Sequence, residues 1–575
     1  MINPKTSALF VLTAALGACT GVLGGDEPGG ASAGGSETTG GAALPLRRLS
    51  KSEYVNTIHD LLVLAKLPDA DAAKAAVDPV LARMPDDAVV ASSHERRGGF
   101  HRLDQDVQQT HADITYAVGG EMGKQLTSTP ARLEATFGHC IVEGDKDACV
   151  TSFLRGYGER VLRRPVSDAD VTFYKTPLAG APASADALAD VIALLFSAPD
   201  VFYVVERGGA GTAPTRPLAP YELAARLAYH FTETVPDEEL FALARSGDLA
   251  KDDVYAHQVD RLAQGPHARV ILDELFGEWL RLDELDRLDQ QVGDPVFDAF
   301  AGENAPTAAL RGNMFNDVLD AAAFVTARGG TIKDLLENRQ SFARTVDLAN
   351  IYGVPIWDGV SEPPTFPEAG RAGLITRAAF LATGTANTRP IMKGVRLRMG
   401  LLCQNVPPPP ANAANAHADL SPTQTTRQVV EQLTQSDGSA CASCHATIIN
   451  PLGFATENFD SLGRSRTAQR LFDRFGNMVA ARDVNTITIP RVIPTDTRVS
   501  SGAPDVTRYM VESKAVDNCF ARNLFRFVFA RGETDADNAI IDALTTSVGQ
   551  KPIAEVLKSI ALRPAFKSHT VKEGS

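Results

Sequence analysis

The chain is 575 residues long, with a formal net charge of −14 and a sequence pI near 5.3. That acidity argues against nucleic acid as a partner, because binding to phosphates calls for a basic surface. The length suffices for several domains or one large multilayer helical body.

Residues 1–19 carry Lys5, an apolar run from Ala8 to Leu16, and Leu16-Gly17-Ala18-Cys19, which looks like a bacterial lipobox. Cleavage before Cys19 and acylation of its thiol would leave a protein tethered by lipid, with no transmembrane helix. The competing reading is an ordinary secretory signal with an incidental cysteine. From Gly24 to Gly41 the chain is almost wholly Gly, Ser, Thr, Ala, Glu and Asp, which buries too little apolar surface to fold and serves as a spacer. The expected location is the cell envelope: outer membrane, on the periplasmic side or the cell surface.

Helical patterns dominate the chain beyond this spacer. Ser50 and Glu53 make a capping box ahead of Tyr54, Ile58, Leu61 and Leu62. Further helices are expected between Asp104 and Leu126, over Val150–Leu162, from Ser167, over Ala185–Phe196, from Pro220 to about Phe231, from Asp237, and over Ala268–Leu280. Others are expected at 307–327, 332–337, 373–381, 389–402 and 423–433, then 506–513, 515–529, 537–547 and 553–562. The region from Leu471 to Val499, with Thr486-Ile487-Thr488-Ile489 alternating, is the best candidate for a small amount of β structure. The fold class is therefore mainly α and multidomain, with little β structure, and Cys441-Ala442-Ser443-Cys444-His445 adds a c-type cytochrome-like haem element in the C-terminal third. The domain boundaries expected are a signal at 1–19, a linker at 20–43, helical domains at 44–135, 136–210 and 211–365, a haem-binding domain at 366–499 and a closing helical domain at 500–575.

Within that haem domain lies Cys441-Ala442-Ser443-Cys444-His445. Two thiols and an imidazole at this spacing can bond covalently to both vinyl groups of one haem while His445 ligates the iron. From the cysteine and histidine counts, chance would give roughly 0.002 occurrences in a chain of this length. A dithiol redox pair, or half of a zinc site completed by Cys403, Cys519 or His417, are the alternatives. Downstream, the Pro451 carbonyl is a candidate acceptor for the proximal imidazole N–H, and Leu452 and Phe454 could cover a haem face. For the second axial position, Met510 and Met478 are the natural candidates by chain order. Met392 and Met399, and more remotely His417, are also available. Arg389, Lys393, Arg396 and Arg398 could pair haem propionates or be solvated helix charge, and Arg522 and Arg526 invite the same two readings.

Of the remaining cysteines, Cys140 and Cys149 flank the polar loop Glu143–Asp147 and are a candidate local disulfide. Cys403 and Cys519 form the second candidate pair. The sequence contains no HExxH helix, nucleophile elbow, Walker loop or convincing dinucleotide fingerprint. His94, His101 and His111 fall in one short span, where helix surface or core use is the simpler reading.

As a set, several strings resemble the multidomain bacterial proteins, abundant in planctomycetes and myxobacteria, that are assembled from planctomycete cytochrome C-associated domains. They are Arg47-Arg48-Leu49-Ser50-Lys51-Ser52-Glu53-Tyr54, Val161-Leu162-Arg163-Arg164-Pro165, Tyr221–Leu227 with Pro236–Leu240, Gly373–Thr376, Arg389–Gly394, the C-x-x-C-H string with Asn450–Asp460, and Phe520–Phe527. The resemblance covers nearly the whole mature chain and implies a c-type haem and an envelope location. It supplies no substrate. Three function classes are consistent with these residues. The leading one is electron transfer by a single covalent haem with a periplasmic or extracellular redox partner. The second is a haem-dependent oxidoreductase, peroxidase-like or substrate-oxidising, with a substrate cavity among the helical domains. The third is an envelope scaffold in which the haem is secondary.

Overall fold

The computed structural model describes residues 46–89, 99–179, 183–209, 213–371, 373–407, 423–436 and 441–570. The lipobox with Cys19, the spacer, His94 and His417 lie outside them. In chain order the first elements are β1 (Leu46–Arg48), α1 (Lys51–Leu64), α2 (Ala70–Leu81), α3 (Gln109–Thr127), α4 (Pro130–Phe137), α5 (Lys146–Leu162), α6 (Asp168–Tyr174), α7 (Ala185–Phe196), α8 (Pro199–Phe202) and β2 (Tyr203–Val205). Next come β3 (Thr215–Pro217), α9 (Pro220–Thr232), α10 (Glu238–Ser246), α11 (Asp252–Ala263), α12 (Ala268–Trp279), α13 (Pro295–Ala301), α14 (Leu310–Ala327), α15 (Ile332–Leu336) and α16 (Val346–Tyr352). The remainder comprises α17 (Ala378–Leu381), α18 (Pro390–Arg396), α19 (Thr426–Thr434), α20 (Ala442–Cys444), α21 (Asn450–Phe454), β4 (Ala468–Phe472), β5 (Met478–Asp483), α22 (Ala503–Ser513), α23 (Ala515–Phe529), α24 (Asn538–Val548), α25 (Ile553–Ala561) and β6 (Ser568–Thr570). The protein is mainly α with a few short strands, as its patterning predicts.

The chain forms two compact units. One, the haem-string unit, is made of Glu284–Val318 and Leu336–Val516; the other, the terminal unit, is made of the described residues up to Asp283, Leu319–Leu335, and those from Asp517 onward.

In the terminal unit, Ser50 caps α1 and Glu53 returns the capping bond. Ile114, Val118, Met122 and Leu126 repeat every fourth residue along α3 and share one core with Leu188, Val191, Ile192 and Leu195 of α7. Each such side chain contributes about 2 kcal/mol by leaving water. The two helices approach so closely at Gly123 that a Cβ there would lie 2.3 Å from the Ala189 carbonyl oxygen. Cys140 and Cys149 are disulfide-bonded across the loop they flank. A second core joins Leu223 and Leu227 of α9 to Tyr255 and Val259 of α11 and to Ala561 and Phe566, and the Tyr255 hydroxyl donates to the Ala561 carbonyl at 2.7 Å. Two antiparallel pairings complete the unit, β1 with β2 and β3 with β6.

In the haem-string unit the core centres on Asp317, which is fully buried. Its carboxylate accepts two bonds from Arg377 at 3.0 and 2.9 Å and one from the Tyr352 hydroxyl at 2.8 Å. This anchoring explains why 373–381 is not the single helix its pattern predicts. A 3-10 turn at Leu374–Thr376 gives way to extended backbone at Arg377 before α17 begins, which lets the guanidinium reach the carboxylate. The β structure falls largely within the expected region, but not on its alternating residues. The hairpin is β4–β5, residues 468–483, while Thr488 forms only an isolated bridge to Ser500. Leu471 of β4 is buried, whereas Ile487 and Ile489 face solvent, so the alternation at 486–489 has no core face to present.

Candidate haem-attachment site

The string Cys441–His445 occupies one helical turn, closed by the His445 N–H donating to the Cys441 carbonyl at 2.9 Å. The turn runs into a π-helical segment, His445–Ile449, and then into α21. Pro451 sits in the first turn of α21. It has no N–H to donate back along the helix, and its ring crowds the preceding turn; the widened π geometry just before it accommodates both effects. Cys441 and Cys444 are thiols, the first half-buried and the second buried.

The imidazole of His445 is held from behind. Its Nδ1 lies 3.0 Å from Asn450 Oδ1; the Asn450 amide donates to Thr434 Oγ1 at 3.0 Å; and the Thr434 hydroxyl donates to the Val430 carbonyl at 2.6 Å. Because Thr434 spends its proton on Val430, it accepts from the Asn450 NH₂, which turns the amide oxygen toward the histidine. His445 therefore carries its proton on Nδ1 and presents the Nε2 lone pair as a ligand. The sequence points to the Pro451 carbonyl for this task, whereas the residue in place is its neighbour Asn450, fully buried. An asparagine just before a proline looks like turn chemistry, and that conceals its role.

Helix α18 crosses this element at two glycines. A Cβ on Gly394 would lie 2.0 Å from the Ile449 carbonyl oxygen, and one on Gly453 would lie 1.9 Å from that of Pro390. Such closeness lets Ile391, Val395 and Val406 pack on Cys444, Ile448 and Ile449. Beside the crossing, Glu457 is buried and accepts from Lys393 at 3.0 Å, Thr388 at 2.8 Å and Arg466 at 3.1 Å. Burial pulls the Lys393 ammonium below the usual lysine range against the opposing attraction of Glu457.

The basic residues of this segment are thus committed within the protein. Lys393 serves Glu457, and Arg398, its pKa pushed down to about 10 by burial, donates to the carbonyls of Pro490 and Arg491 at 2.9 and 3.0 Å. Arg396 donates to Ala379 O at 2.8 Å, and Arg389 pairs with Asp286 at 3.0 Å. Arg522 and Arg526 both turn to Glu533, at 3.1 and 2.6 Å. Phe454 is buried, and the Arg427 guanidinium lies 4.5 Å from its ring centroid. Leu452 is buried as well.

The methionines are dispersed. Met510 is fully buried on α22, and Met478 is exposed on β5 opposite Phe472. Met399 is buried in a second π segment, Leu397–Leu401, while Met392 is exposed on α18. Among the described residues, the apolar cluster around Cys444 includes neither Met510 nor Met478. Neither Cys403 nor Cys519 is a thiol, which withdraws both as thiolate ligands for a zinc site. His101 pairs with Glu278, and His111 accepts from the Gln108 N–H at the start of α3.

The arrangement offers two thiols within one turn and an oriented imidazole, a donor set suited to covalent attachment of a planar group carrying a metal. Against known proteins, residues 218–354 match the PSD4 family, described as a protein of unknown function (DUF1592). Residues 371–469, which include the thiol–imidazole string, match the PSCyt3 family, described as a protein of unknown function (DUF1588). No curated protein and no solved structure matches the chain. The two matched families are planctomycete cytochrome C-associated domains, so the chain carries two domains of that kind, over 218–354 and 371–469.

Proposed function

We propose that this protein is a lipid-anchored c-type haem protein of the bacterial cell envelope that exchanges single electrons with a periplasmic or extracellular partner. The observation that carries the reading is the His445–Asn450–Thr434 chain, which fixes the imidazole with Nε2 available beside two thiols in the same turn. Cys441 and Cys444 would hold the haem and His445 would be its proximal ligand. The group would supply a one-electron couple whose potential depends on its axial ligands and surroundings.

The residues around it have separate tasks. Asn450 orients the imidazole and sets its electron donation. Pro451, Leu452 and Phe454 provide the apolar backing that limits water near the attachment turn. Lys393, Glu457 and Arg466 hold α18 against it. The second axial ligand is to be sought among Met510, Met478 and the α18 methionine Met392. Acylation at Cys19 would tether the chain to the membrane.

The test is the protein matured with covalent haem, studied by visible absorption and EPR in both oxidation states, with and without carbon monoxide. A low-spin haem that resists carbon monoxide supports electron transfer. A high-spin haem that binds it readily replaces this reading with the oxidoreductase one, and absence of covalent haem from a properly matured chain overturns both.

A further inference from the structure

The terminal unit contains a cavity of about 270 Å³ that takes no part in the haem-attachment site. One part of its wall is apolar and aromatic, with Val204, Phe527, Phe529 and Ile540, and another is polar, with Gln105, Ser568 and Thr570. Four arginines also reach it, and each is already paired with a carboxylate. Arg47 bonds Glu53 at 2.7 Å, Arg102 bonds Glu233 and, at 2.9 Å, Glu274, Arg226 bonds Glu206, and Arg531 bonds Asp537 at 2.8 Å. The lining therefore holds compensated charge and few spare cationic donors.

Two imidazoles in the wall are different. His230 is only 5% exposed and its ring has no close side-chain partner; the Leu557 backbone, at looser geometry, is the group its N–H can turn to. His569 is 2% exposed, and its Nδ1 is likewise without a partner. Burial, reinforced by the positive charge of Arg102, holds His230 neutral down to about pH 3. The neutral ring keeps a lone pair on its other nitrogen, which can accept from a hydroxyl. Buried polar atoms left unmatched are costly, and they cluster where a ligand completes them.

We propose that this cavity binds a small, uncharged, largely apolar molecule bearing a hydroxyl, of the chemical class of phenol, whose hydroxyl pairs with His230 while its ring lies among the aromatic side chains of the wall. An anion is disfavoured because the arginine donors are spent and Glu206 faces the same space.

The experiment is calorimetric titration of the full matured protein with phenol, toluene and benzoate. Phenol is expected to bind saturably with one site, and toluene, lacking the hydroxyl, about fivefold or more weakly. His230→Phe should weaken phenol to about the affinity of toluene. Because that variant could fail to fold, Ala565→Leu, which narrows the cavity from a different wall residue, should independently abolish phenol binding; circular dichroism establishes that each variant is folded. No saturable phenol binding, equal affinity for toluene, tighter binding of benzoate, or unchanged phenol affinity in both folded variants would overturn the proposal.

Discussion

Asn450 Oδ1 accepts the Nδ1 proton of His445 at 3.0 Å while its amide nitrogen is anchored on Thr434. The histidine's orientation is thereby set by α19, an element that precedes the attachment string in the chain.

Replacing that acceptor should tune the cofactor without removing it. Asn450→Asp places a charged acceptor behind the imidazole, strengthens its donation to iron and lowers the reduction potential; Asn450→Ala removes the acceptor and raises it. The alanine variant should also lose about 1–3 kcal/mol of stability, since Thr434 and His445 each lose a partner. Spectroelectrochemical titration and denaturant unfolding of the matured proteins check both. Equal potentials in the two variants would remove Asn450 from this role.

The glycine crossing has a steeper dependence. In Gly453→Ala the new methyl would meet the Pro390 oxygen at 1.9 Å, so α18 and α21 must separate. A loss of about 1–3 kcal/mol is expected from overpacking, together with a reduced fraction of chains carrying covalent haem. Gly394→Ala should behave alike. Thermal unfolding and haem-to-protein absorbance ratios are the measurements.

Acid stability should report on Glu533. Burial raises its pKa, but hydrogen bonding and attraction from Arg526, with help from Arg522, outweigh it and bring the value down to about 2. A carboxylate whose folded pKa lies below the unfolded value contributes its stability above about pH 4.5 and loses it as pH falls toward 2. The contribution is roughly 3 kcal/mol at most, at about 1.36 kcal/mol per pKa unit. Unfolding free energies measured across pH 2–5 should therefore fall more steeply in the natural protein than in Glu533→Gln. Parallel curves would show that Arg526 does not act through this carboxylate.

For the second axial ligand, position separates the candidates. Met392 is 53% exposed on the helix whose Ile391 and Val395 pack against the Cys444 cluster, and Met392→Leu is expected to convert a low-spin haem to one that binds carbon monoxide. Met478→Leu should leave the spectrum unchanged. Met510→Ala should cost about 2–5 kcal/mol, the usual effect of a vacated core site. A spectral change in Met510→Leu instead would transfer the ligand to α22.

What is legible from the residues alone is mostly local. The Ser50–Glu53 box, the span Ala185–Phe196 of α7 and the helix at Ala515–Phe529 depend on neighbours within a few positions, and each lies where its pattern puts it. Long-range commitments are hidden. Nothing in the order of residues pairs Lys393 with Glu457 or Arg377 with Asp317, so the first looks like solvated or propionate-binding charge and the second like part of an unbroken helix. Within the candidate site the thiols and the histidine are legible from spacing. Asn450 is not, because an amide can act as a turn former or as an orienting acceptor, and only the fold decides which.

The β3–β6 pairing joins Thr215 to Thr570 across 355 residues. The β3–β6 pairing therefore cannot close until residues 568–570 have been made and folded back onto 215–217. By then the cysteines at 441 and 444 have already emerged. If the chain is matured with covalent haem as proposed above, this order would leave an interval in which both thiols are presented on an incompletely folded chain.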